Sequence, residues 1–167
     1  LVNTLMQHIL YYNVSDTPPA SAQINWTFSD GNTGSQGTGG ALQATGSTTV
    51  NVTAANDAPT DLALSANTVA ENAANGTSIG TVSGTDPDSG DTQSYSLTDT
   101  AGGRFAIDSS TGEITVANGT LLNYEAAASH SVTVRVTDSG GLTYDETFTV
   151  NLTNVNESPT GADATVT

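Results

Sequence analysis

The chain has 167 residues, a formal net charge of −15 and no cysteine. Two bases, Arg104 and Arg135, stand against seventeen acids, so duplex DNA, RNA and anionic membrane surfaces are repelled and are not expected as partners. Disulfides and thiolate metal sites are excluded, and no stretch approaches the ~18 consecutive apolar residues of a membrane-crossing helix.

In chain order, Leu1, Val2, Leu5, Met6 and Ile9 recur with helical spacing and predict a short amphipathic helix. Pro18 and Pro19 follow and break any regular element. AQINWTFSD (22–30) and STTVNVT (47–53) then alternate apolar and polar residues, the period of a half-buried strand. Residues 1–57 therefore read as the closing part of a preceding β-sandwich-type repeat. Beyond them the same alternation predicts strands near 62–70, 77–83, 93–98, 104–107, 113–117, 130–138 and 142–153. In SVTVRVTD, for instance, Val132, Val134 and Val136 share one face and Thr133, Arg135 and Thr137 the other. Clusters such as ENAANGT, GTDPDSGDT, DSSTG and DSGG punctuate the strands as turns. Many short strands with no long helical period predict an all-β chain folded as a Greek-key β-sandwich of immunoglobulin-like type.

The chain also echoes itself. VNVTAANDAPT (50–60) returns as VNLTNVNESPT (150–160), with Asn56/Asn156 and Pro59/Pro159 identical and Asp57 replaced by Glu157. Self-similarity at the length of a small domain is the mark of a tandem array. Residues 58–160 are expected to form one complete repeat, and 161–167 to open the next.

FAIDSSTGEITV (105–116), LLNYE (121–125) and VTVRVTDSGG (132–141), preceded by VAENAANGTSIGTVSGTDPDSGD (69–91), resemble the cadherin repeat. The resemblance covers about 58–160. The lysine-free, Thr/Gly/Asn-rich composition is similar to that of cadherin-like repeats in very large secreted or surface-attached bacterial proteins. It implies an extracellular module stiffened by Ca2+ at its joints, and calcium is a hard cation that takes six to eight oxygens. The implied ligands at the first joint are Asn56 and Asp57 from the linker, with Asp86, Asp88 and Asp138 from the domain below. At the second joint they are Glu71, Glu125, Asn156 and Glu157. There Asn123 and Asn154 stand where the family usually has Asp, which implies a weak or empty site. Implied partners are neighbouring repeats of the same chain, like repeats on another molecule, or a polysaccharide.

Read without the family, Asp86-Pro-Asp88-Ser-Gly-Asp91 is first of all a turn, and Asp108 in IDSSTG is a turn-former. An EF-hand starting at Asp86 fails because its twelfth position is Leu97. No catalysis is expected: only His8 and His130 titrate near neutrality, and no nucleophile motif or His/Cys cluster accompanies them. Two other functions stay open. A calcium-dependent carbohydrate-binding module would need exposed aromatics to stack on sugar rings, whereas the candidates Tyr11, Tyr12, Trp26, Tyr95, Tyr124 and Tyr144 fall on different segments. A metal-free spacer beside a catalytic domain would be indifferent to calcium.

Overall fold

The computed structural model describes residues 12–31 and 42–158. The helix expected at 1–9, His8, and the start of a following repeat at 161–167 lie outside them. The chain divides into two compact units, Leu1–Asn56 and Asp57–Thr167.

In the first unit, β1 (Ser21–Ser29) and β2 (Gln43–Asn51) form an antiparallel pair in unbroken register from Ser21↔Asn51 to Ser29↔Gln43. Ala22, Ile24, Trp26 and Phe28 share one half-buried face, with the Trp26 and Phe28 rings 5.1 Å apart. The indole lies over Gly46 so closely that a Cβ there would sit 2.2 Å from its ring. A side chain at that position would have to displace the indole.

The second unit is a β-sandwich. One sheet has the order β4-β10-β9-β6, built from β4 (Thr68–Ala70), β10 (Thr143–Thr153), β9 (Ser129–Thr137) and β6 (Ser94–Asp99). The other has the order β3-β5-β8-β7, from β3 (Asp61–Leu64), β5 (Ser78–Thr85), β8 (Glu113–Val116) and β7 (Phe105–Ile107). All pairings are antiparallel except β4 with β10. Val132, Val134 and Val136 face Val82, Ile114, Val116 and Phe105 in one core, as the period of two requires. A 3₁₀ turn at Gly119–Leu121, capped by the Asn118 side chain on Thr120 N–H, drives Leu122 fully into that core.

The strand expected at 62–70 is instead two strands on different sheets. Leu62 pairs with Gly84 on β5, whereas Val69 pairs with Leu152 on β10. Both apolar residues are buried, and the crossing at 65–67 lets one short segment serve both sheets. Ser65 Oγ, taking Thr81 N–H at 2.8 Å, and Asn67 Nδ2, giving to Thr149 O at 3.0 Å, hold the crossing on each side. Alternation cannot reveal the switch, because both halves keep the same period.

Candidate metal centre

Three carboxylates converge at one end of the sandwich. Asp86 follows β5, Asp91 precedes β6, and Asp138 follows β9. Pairing of Ser94 with Thr137 sets the last two side by side, while β5 brings Asp86 from the opposite sheet. One oxygen from each lies within 4.8 Å of the other two. Asp138 is buried, with 6% exposure.

Local hydrogen bonds fix each of them. Asp86 Oδ1 accepts from Asp88 N–H at 2.8 Å, which folds the loop back on itself. Asp138 Oδ1 accepts from Leu142 N–H at 2.8 Å and closes the β9–β10 turn, where Gly141 adopts φ +89°. Asp91 accepts from Thr92 N–H at 2.7 Å and Ser139 N–H at 3.2 Å. The Ser139 hydroxyl is the main cause that holds its carboxyl below the usual range, against the opposing effect of burial. Asp86 Oδ2 is wholly buried and has no hydrogen-bond partner among the described residues. A buried anionic oxygen without a partner is costly unless a cation meets it. Neither base supplies one: Arg135 is bidentate on Asp145 at 2.7 and 2.8 Å, and Arg104 donates to the carbonyls of Leu121 and Ala101.

The donor set is three hard anionic oxygens, the chemistry that calcium selects. Beside it opens a groove of ≈ 530 Å³ lined by Ser83, Gln93, Tyr95 and Thr111 together with Asp86, Asp88 and Asp91. The other residues expected at this joint are placed differently. Asp88 Oδ2 accepts the Asp57 backbone N–H at 2.7 Å. Asn56 and Asp57 are exposed, and each is engaged in further interactions. Asp91, absent from the expected ligands, is the member that sequence reasoning missed. Its only signal was a third acid in a loop already supplying two.

Residues of the second expected joint gather around Glu71. This side chain is only 2% exposed. Its two oxygens accept Tyr124 N–H at 2.7 Å and Val155 N–H at 2.8 Å. These bonds, Tyr124 first, hold its carboxyl below the ordinary value despite burial, with a smaller effect from Glu125. Glu125 accepts from Asn154 Nδ2, Glu157 accepts from Asn72 Nδ2, and Asn156 is exposed. Asn123 Oδ1 is taken by Ala126 N–H at 2.7 Å. Among the described residues, Asp86, Asp91 and Asp138 are the acids that meet as a group of three. Asp108 accepts from Ser110 and Thr111, N–H and hydroxyl alike, and these hold it at about 2, led by Thr111 N–H. It is a turn-former.

The sequence profile described as the cadherin domain matches residues 66–153. The chain belongs to the cadherin domain family. This cadherin domain is 35% identical over 95 residues to human "Cadherin-related family member 2", a match covering 54% of the chain and 7% of that protein. Among solved structures it is similar to mouse clustered PcdhgC3 EC1-3, at 29% identity and TM-score 0.59, covering 82% of this chain and 44% of that one. It is also similar to mouse Cadherin-23 EC22-24, at 25% identity and TM-score 0.60, covering 82% and 43%. The chain thus spans less than half of these relatives. Cadherin domains are extracellular adhesion-type modules. No helix among the described residues is long and apolar enough to cross a membrane.

Proposed function

We propose that this chain is a calcium-binding structural module of a long extracellular multi-repeat protein. In this reading 1–57 close one repeat, 58–160 form a second, and 161–167 open a third. Calcium would supply positive charge at the converging carboxylates and turn a flexible linker into a stiff joint. The observation that carries the reading is the buried Asp86 Oδ2, without a hydrogen-bond partner among the described residues, beside the converging carboxylates of Asp91 and Asp138. Asp86 and Asp138 would hold the ion, and the Asn56–Asp57 linker is the segment whose motion it limits. Glu71, Glu125, Asn156 and Glu157 would serve the joint that follows. The lysine-free, Thr/Gly/Asn-rich composition supports a bacterial secreted or surface-attached parent protein. Partners would be adjacent repeats and like repeats on another molecule.

A thermal melt with excess chelator, then with calcium about fifty-fold above its dissociation constant, tests this reading. Ligand linkage gives roughly 2 kcal/mol of stabilisation, which is a rise of several degrees for a domain of this size. The rise should vanish in the Asp86→Ala, Asp138→Ala double variant. An unchanged melting temperature would make the acids turn-formers and the chain a metal-free spacer.

A further inference from the structure

We infer that residues 1–10 of this chain dock on the apolar face of the β1–β2 hairpin and close the first unit from within. Such closure is independent of calcium.

The hairpin repeats β9–β10 register for register. Ala22, Ile24, Trp26 and Phe28 pair with Val50, Thr48, Gly46 and Ala44. His130, Val132, Val134 and Val136 pair in the same order with Val150, Phe148, Glu146 and Tyr144. Even the closing turn is repeated. Asp30 N–H donates to Leu42 O and Asp30 Oδ1 accepts from Leu42 N–H, both at 3.1 Å. Asp138 and Leu142 make the same two bonds at 3.0 and 2.8 Å. Ile24, Trp26 and Phe28 therefore stand where the second unit has Val132, Val134 and Val136. The three valines are fully buried in one core with the opposite sheet and Leu122. Ile24, Trp26 and Phe28 are only half-buried, and the first unit has no third strand among its described residues. The Trp26 indole N–H is closed off from water yet meets no acceptor among those residues.

A hairpin of two strands is marginal alone and needs a further strand or a helix on its apolar face. Just upstream, outside the described residues, the chain carries the matching stripe of Leu1, Leu5 and Ile9 with Val2 and Met6. LVNTLMQHIL contains no acid, so in a chain of charge −15 it meets the face without repulsion. ILYYN (9–13) also precedes β1 as LLNYE (121–125) precedes β9, matching Leu10 to Leu122 and Tyr12 to Tyr124. Leu10 is thus suited to the place beside Ile24 that Leu122 takes in the valine core. Asn3 and Gln7, and the free carbonyls that end any helix, offer acceptors to the indole N–H. The lengths agree as well: nine helical residues run about 14 Å, against about 20 Å from Ala22 to Phe28. The tether turns, since Asn13 Oδ1 accepts Ser15 N–H and Ser15 Oγ accepts Thr17 N–H. A flexible tether of about ten residues sets a millimolar effective concentration, which favours this segment over a second copy of the chain.

Trp26 is the one tryptophan of the chain, so its fluorescence in the full-length protein reads this face alone. With the segment docked, emission lies toward the blue and acrylamide reaches the ring poorly. The Leu5→Asp, Ile9→Asp double variant should shift emission to the red and raise the quenching constant several-fold. Leu5→Met with Ile9→Val should leave both near wild type. Equal quenching of wild type and the aspartate variant overturns the inference. So does a dimer mass by light scattering with Trp26 emission that reddens on dilution, because a second copy then covers the face. Should the aspartate variant lose the hairpin altogether, the wild type decides. Nuclear Overhauser contacts are expected from the Trp26 indole protons to methyl groups of Leu5, Ile9 and Leu10, and their absence overturns the docking.

Discussion

His130 shows how burial sets chemistry at the scale of one side chain. Its ring centroid lies 6.3 Å from that of Phe105, and its Nε2 is buried without a hydrogen-bond partner among the described residues. Desolvation, then the charge of Arg104, lowers its pKa below the ordinary value. The folded protein therefore prefers neutral His130 more strongly than the unfolded chain does. Its contribution is complete above about pH 6.5, the unfolded value, and is lost as pH falls through the lowered folded value. The melting temperature should drop between about pH 7 and pH 5, ahead of most carboxylates, and drop less in His130→Gln. Equal slopes in the two proteins would assign the pH dependence to other groups. Glu71 is the opposite case, a buried acid kept charged by two backbone N–H groups. The resemblance marks it as a ligand residue, but not that it ties β4 to the segments at Tyr124 and Val155.

Among the elements, the short Gly119–Leu121 turn does more than its length suggests. It follows β8 and delivers Leu122, fully buried, whose carbonyl accepts Asn72 N–H at 3.1 Å. Asn72 itself stands at φ 55°, a conformation that asparagine tolerates better than most residues. Leu122→Ala should cost about 2–5 kcal/mol, the range for a core leucine that leaves a cavity. A urea titration would show it as a lower midpoint at unchanged slope. A cost near zero would mean the site collapses around the gap. Gly112 presents a similar constraint, since at φ +73° a Cβ would lie 2.4 Å from Val82 O. The strands were legible because valine and threonine alternate on a half-wet pleat. The 3₁₀ turn was not, since three residues carry no period. The division of 62–70 between sheets escaped for a related reason: each partner strand is remote in sequence.

Across the whole molecule the net charge of −15 opposes compaction. In chelator, raising sodium chloride from about 0.01 M to about 1 M shortens the screening length from roughly 30 to 3 Å. The melting temperature should therefore rise with salt, and rise less once calcium is bound. A flat response would show the acids to be too dispersed for repulsion to matter. Sequence by itself determined the all-β class, most of the strand positions, the family resemblance and two of the three converging acids, because period and local motifs are properties of neighbouring residues. Tertiary structure alone decided the third. Asp91 joins Asp138 only through the pairing of β6 with β9, and meets Asp86 only across two sheets. Likewise Asp88, two residues from Asp86, turns instead to Asp57. Which oxygens meet is a question of distance in space, and spacing along a loop of Pro, Ser and Gly leaves that distance undetermined.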